Sequence, residues 1–155
     1  GELFKAMSKT DIVHIPHKAS GDARNSVLSG NVQMMFDAVT TMTELAKAGK
    51  VRALATTGLK RNPLTPDLPT VAETVPGYEA TIWLGLMAPK GTPADVVTFL
   101  NTSVNKVIEL PAVKEAWLKQ GAIPLVKSPA DFDAYLRKDI EKWAGVVKAS
   151  GAKVQ

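Results

Sequence analysis

The spacing of apolar residues changes period several times along the chain. Leu3, Phe4 and Met7 share one helical face, so the spacing predicts a helix over residues 2–7 that starts in mid-element. Asp11-Ile12-Val13-His14-Ile15-Pro16 is a short β-branched run stopped by proline, the pattern of a strand ending in a loop. Helical spacing resumes through Ala23, Val27 and Leu28, with Ser20 suited to cap the helix and Gly30 to close it. Val32 to Asp37 reads as a second strand. The helix after it turns Met42, Leu45 and Ala46 inward and ends at Gly49, and Val51 to Thr56 reads as a third strand.

Strands alternating with short helices imply βαβ units and a mainly parallel sheet covered on both faces, which makes the class α/β. Pro63, Pro66, Pro69 and Pro76 break the next stretch and leave room for one helical turn at Val71-Ala72-Glu73. The continuous apolar run Ile82-Trp83-Leu84-Gly85-Leu86-Met87 suits a buried strand. Beyond it the pattern is mostly helical. Thr92 and Pro93 start one helix, which carries Val96, Val97, Leu100, Val104 and Val107 inward; Pro111 starts another with Val113, Trp117 and Leu118. A short strand at Pro124 to Val126 precedes Ser128-Pro129, a cap and first turn for a last helix with Phe132, Leu136, Ile140 and Trp143 on one side. Trp117 and Trp143 are expected in the core. The shift in pattern near Trp83 marks a candidate hinge.

Composition adds mostly exclusions. At 155 residues, with 45% hydrophobic and 22% charged residues, the chain is globular in character rather than disordered. The net charge of +4 comes from basic residues interleaved with acids, as in Lys114-Glu115 and Arg137-Lys138-Asp139, which reads as solvated helix faces and not as a nucleic-acid stripe. Without cysteine there is neither a disulfide framework nor a thiolate metal site. No segment approaches the roughly 20 apolar residues that span a bilayer.

Candidate chemistry gathers at the loops after the predicted strands, where open α/β sheets place their ligands. His14 and His17 straddle a strand end three residues apart, so they face opposite ways and do not form a metal pair; His14 is expected to be structural and His17 to face a ligand. Ser20, His17 and Asp37 supply the residue types of a hydrolytic triad, but no G-x-S-x-G elbow accompanies them, and no phosphate-loop or dinucleotide fingerprint is present. No cofactor is expected. What remains is a recognition surface made of two loops that enter helices: His17-Lys18-Ala19-Ser20-Gly21 and Asp37-Ala38-Val39-Thr40-Thr41. Unpaired N–H groups at a helix start suit a carboxylate, Lys18 adds charge, and Ser20 or Thr40 adds a hydroxyl donor. Each of these residues has an equally plain reading as a cap, a turn or an exposed lysine. Trp83 can wall a cleft with its indole face and donate through its N–H, or pack in the core.

Several stretches together resemble the Bug-type extracytoplasmic receptors of tripartite tricarboxylate transporters. They include Ile12-Val13-His14-Ile15-Pro16-His17-Lys18, Leu28 to Asp37, Ala48 to Ala55, Pro66 to Glu73, and Trp83 to Pro93. The resemblance implies a type II periplasmic-binding-protein fold, in which two α/β lobes close on a small organic acid or amino acid. By that comparison residues 1–80 belong to the second lobe, 81–89 form the hinge strand, and 90–155 return to the first lobe. It further implies a periplasmic location, membrane permease subunits as partners, no enzymatic activity, and a ligand site drawn from His17, Lys18, Ala19, Ser20, Asp37, Ala38, Thr40 and Trp83. The family's Pro-Tyr-Lys-Gly loop stands here as Pro16-His17-Lys18-Ala19, and its Phe-Asp-Asn as Phe36-Asp37-Ala38. Family members carry a further segment before the stretch matched here. The chain is therefore expected to be a fragment whose incomplete lobe self-associates.

Overall fold

The computed structural model describes residues 1–151. Among the described residues six α-helices and one 3₁₀ turn follow one another: α1 Glu2–Ser8, α2 Ser20–Leu28, α3 Val39–Lys47, the turn Val71–Glu73, α4 Ala94–Glu109, α5 Pro111–Lys119 and α6 Pro129–Ser150. The chain divides into two compact units. Among the described residues, the first holds Gly1–Ile82 with Gln120–Ala122, and the second holds Trp83–Lys119 with residues 123–151. The last four residues of the 90–155 segment lie outside the described residues.

The helices form where the spacing predicts them, and their ends show the local chemistry at work. Ser128 caps α6 by accepting the Asp131 N–H at 3.1 Å, with Pro129 in the first turn. The Val71–Glu73 turn carries a reciprocal capping box, in which the Glu73 carboxylate accepts the Thr70 N–H at 2.9 Å. Two predicted caps move by one residue. Ala19 rather than Ser20 is the N-cap of α2, and Pro93 rather than Thr92 precedes α4, leaving the Thr92 hydroxyl to donate to the Pro89 carbonyl.

The predicted strand segments take another course. Among the described residues the sole strand-like pairing is an isolated parallel bridge between Thr56 and Thr70, held by Thr56 N–H to Pro69 O and Val71 N–H to Thr56 O, both 2.9 Å. Residues 11–16, 32–37, 82–87 and 124–126 run without ladder partners, and their side chains are correspondingly open: Leu84 is 97% exposed, Ile82 78% and Val13 77%. β-Branched, apolar runs signal a residue fit for a buried sheet, but a ladder also needs two segments to exchange hydrogen bonds, and these segments form none here, even though residues 12–15 and 34–36 line the same cavity.

The core of the first unit is small and aromatic. Tyr78, Val71 and the side chains of Thr56 and Thr70 are buried. The Tyr78 ring meets Phe4 edge-on at 5.9 Å and Phe36 at 6.5 Å, and Phe4 and Phe36 lie 5.7 Å apart, so α1 is stapled to the segments before α3 and after the 3₁₀ turn. Gly121 adds a close approach. A Cβ there would stand 2.7 Å from Val39 Cγ1, and its φ of +75° lies in the left-handed region.

In the second unit, Trp83 anchors the chain to α6. Its ring meets Phe132 and Tyr135 edge-on at 5.5 and 5.9 Å, and Gly85 makes room for Phe132, whose Cζ would lie 2.5 Å from a Cβ at that position. Asn101 and Asn105 of α4 both donate to the Lys127 carbonyl, tying α4 to the start of α6. Ile108 is buried, whereas Val96, Leu100, Val104, Val107, Trp117, Leu118 and Ile140, predicted to turn inward, are exposed. With α4 packed against α5 and α6, and no packing between those two among the described residues, only part of each apolar stripe is covered.

Candidate functional site

The loop before α2 is organised around His17. Its Nδ1 lies 3.0 Å from the Ile15 carbonyl and its Nε2 lies 2.9 Å from Ser26 Oγ. A carbonyl only accepts, so Nδ1 donates, and in the neutral imidazole Nε2 then accepts from the Ser26 hydroxyl. The imidazole is thereby spent on holding the loop against α2. His17 also lines a cavity of about 220 Å³ with Lys5, His14, Ile15, Met34 and Met35. His14, expected to be structural, stands exposed with Nδ1 3.3 Å from Glu2 Oε1. Lys18, Ala19 and Ser20 are exposed at the mouth of α2.

The loop before α3 is organised around Asp37, whose side chain is only 11% exposed. Its Oδ1 accepts the Ala38 N–H at 2.9 Å, and its Oδ2 lies 3.5 Å from the Thr41 hydroxyl. That hydroxyl also donates to the Ala38 carbonyl at 3.0 Å. Ala38 is the N-cap of α3, so the first-turn amides have no side-chain cap. Thr40 is exposed in the same turn.

Arg24 brings the two loops together. From α2 its Nε approaches Asp37 Oδ2 to 2.7 Å, while its Nη2 donates to Ser20 Oγ at 3.1 Å. The Nε contact is a coulombic approach without an aligned hydrogen bond. Arg24 escaped the reading of the sequence, although a signal was present: it stands four residues after Ser20, on the same face one turn along α2.

Trp83 belongs to the other unit, and its indole N–H is already committed, donating to Asp139 Oδ2 at 2.9 Å. The second Asp139 oxygen accepts the Trp143 N–H at 3.1 Å. Asp139 thus clamps two indoles: Trp143 stands four residues along the same helix, whereas nothing in the spacing announces Trp83. The three types of a hydrolytic triad are present but differently partnered: His17 bonds Ser26 and not Ser20, and Asp37 faces Arg24. Among the described residues no cluster of three His, Cys, Asp or Glu could hold a metal ion, and no helix is long and apolar enough to cross a membrane.

Solved structures similar to the chain include three of related sequence. A protein of R. palustris, Rpa4515 with adipate, superposes with a TM-score of 0.85 at 36% identity, over 97% of this chain and 50% of that one. The periplasmic binding protein BugD superposes with a TM-score of 0.79 at 34% identity, over 99% and 52%. MatC from Rhodopseudomonas palustris, with bound malate, superposes with a TM-score of 0.76 at 30% identity, over 94% and 51%. The chain also spans about half the length of the curated relatives it matches, 44% and 48% of two of them, each at 36% identity. The α/β receptor fold expected from the sequence is therefore the fold of the proteins it matches. Residues 1–152 match the family described as "Tripartite tricarboxylate transporter family receptor", and the chain belongs to that family.

Proposed function

We propose that this chain supplies one wall of the ligand cleft of a periplasmic solute receptor, which captures a small organic carboxylate and performs no chemistry on it. The observation that carries this reading is the joining of the α2 and α3 starts through Arg24, which sets two sets of helix N–H groups and a guanidinium side by side. Adipate and malate in two similar structures support a carboxylate of four to six carbons. Lys18, Ala19, Ser20, Ala38 and Thr40 contact the ligand in this proposal. His17 and Asp37 shape the loops that present it, and Trp83 lies at the hinge.

Residues 1–80 are assigned to one lobe, 81–89 to the hinge and 90–155 to the other lobe; the division between Ile82 and Trp83 supports that assignment. The partners proposed are the membrane permease subunits of the transporter. The open apolar run from Ile82 to Met87 further supports self-association of this chain when it stands alone.

Titration calorimetry of the full-length protein against adipate, malate and amino acids tests the reading. The expected result is one ligand bound per chain and recovered unchanged. No binding across a broad organic-acid panel overturns it.

A further inference from the structure

We infer that Arg24 is the residue that sets the charge of the ligand this site accepts, an inference that rests on the carboxylate-receptor reading. The site contains a paradox. A receptor for anions places Asp37, an acid with little exposure, directly before the helix start that would meet the anion. A carboxylate left uncompensated there repels a second carboxylate and favours an amine instead.

Arg24 resolves the paradox in two ways. Its Nε at 2.7 Å from Asp37 Oδ2 cancels the local negative charge. Its Nη2 holds the Ser20 hydroxyl at 3.1 Å, fixing the guanidinium across both loops, and among the described residues Nη1 has no hydrogen-bond partner. A guanidinium offers a planar fork of donors, so the uncommitted edge suits a carboxylate oxygen. Lys18, exposed on a flexible stem in the same loop, supplies charge without that geometry.

The test measures the affinity of the full-length protein for adipate and for 6-aminohexanoate, which has the same chain length but an ammonium at one end. R24Q leaves Asp37 charged and uncovered. It should weaken adipate roughly tenfold while shifting the adipate-to-aminohexanoate ratio toward the zwitterion, as expected for an uncancelled carboxylate of little exposure beside the ligand. R24Q/D37N removes both charges and should restore the ratio. R24K keeps the charge but not the fork, and should retain the ratio with weaker adipate binding. A merely structural role for Arg24 would lower both affinities together, so an unchanged ratio in R24Q, or no recovery in the double variant, overturns the inference.

A wild-type protein that binds neither compound, nor any acid of the broad panel, overturns the receptor reading. Hydrogen exchange without ligand then judges the coupling: R24Q should speed exchange at the Thr41 and Met42 amides, which bond the Ala38 carbonyl. Unchanged exchange there overturns the role of Arg24 as well.

Discussion

Replacing Tyr78 by alanine should cost the first unit a large share of its stability. The side chain is 1% exposed and is the largest fully buried one among the described residues, with two aromatic partners within 6.5 Å. Removing a buried aromatic ring costs about 3–5 kcal/mol, of which each edge or tilted ring pair accounts for about 0.5–1.5 kcal/mol. A domain is held by only about 5–15 kcal/mol in all, and Val71 is the only other buried apolar residue in this unit among those described. The assay is native-state hydrogen exchange at the Val71, Val75 and Tyr78 amides, which bond Thr56 O, Val71 O and Val75 O. At 1.4 kcal/mol per decade, Y78A should accelerate them by roughly two to three and a half orders of magnitude. Y78F keeps the ring packing and should cost no more than about 1 kcal/mol.

The same residue gives an alkaline signature. Burial pushes the Tyr78 phenol above its ordinary value of 10.0. Above that pH the unfolded chain releases a proton that the folded chain keeps, so stability is whole below 10 and falls as pH rises through the folded value. Y78F abolishes that part of the decline. Acceleration of the three amides by less than tenfold in Y78A would refute the account of Tyr78 as the centre of this core.

Two further outcomes follow from local geometry. Arg61 grips Glu73 with Nε at 2.9 Å and Nη2 at 2.8 Å, and that hydrogen bonding, with the Thr70 N–H, lowers the Glu73 carboxyl from 4.5 to about 2. The stabilisation is present above 4.5 and is lost as pH falls toward 2; R61M should raise the Glu73 titration toward the ordinary range, seen by NMR, and an unshifted titration contradicts the clamp. G121A places a methyl against Val39 and Leu64 at a left-handed φ, and should destabilise by about 2–4 kcal/mol in urea unfolding, whereas a neutral effect contradicts the close approach.

What the sequence made legible was the local part of the structure. Ser128-Pro129 announced the start of α6 because a cap and a pre-set φ act within one turn. The helical turn at Val71 was legible because prolines on both sides left it nowhere to extend. The strand segments stay unpaired here for the opposite reason. Residues 82–87 have the composition of a buried strand, but pairing is a property of two segments, and one segment does not disclose whether its neighbour is present. Inward stripes on α4 and α5 fail likewise, and of the α6 stripe only Ile140 is exposed, since exposure depends on what is stacked above them.

The candidate site divides along the same line. His17, Ser20 and Asp37 were found because each sits at a loop that enters a helix, a one-dimensional feature. Their partners were not, because each partner is chosen in three dimensions: Ser26 for His17, Arg24 for Ser20 and Asp37. The partners change the chemistry. An aspartate beside a serine and a histidine reads as catalytic when the three are free to meet, and as a braced wall once an arginine stands between two of them. Trp83 carries the same lesson in the second unit, for its N–H would be a ligand donor if Asp139 were not already accepting it. Side-chain type nominates a site, and the commitments of each donor and acceptor decide what that site has left to offer a ligand.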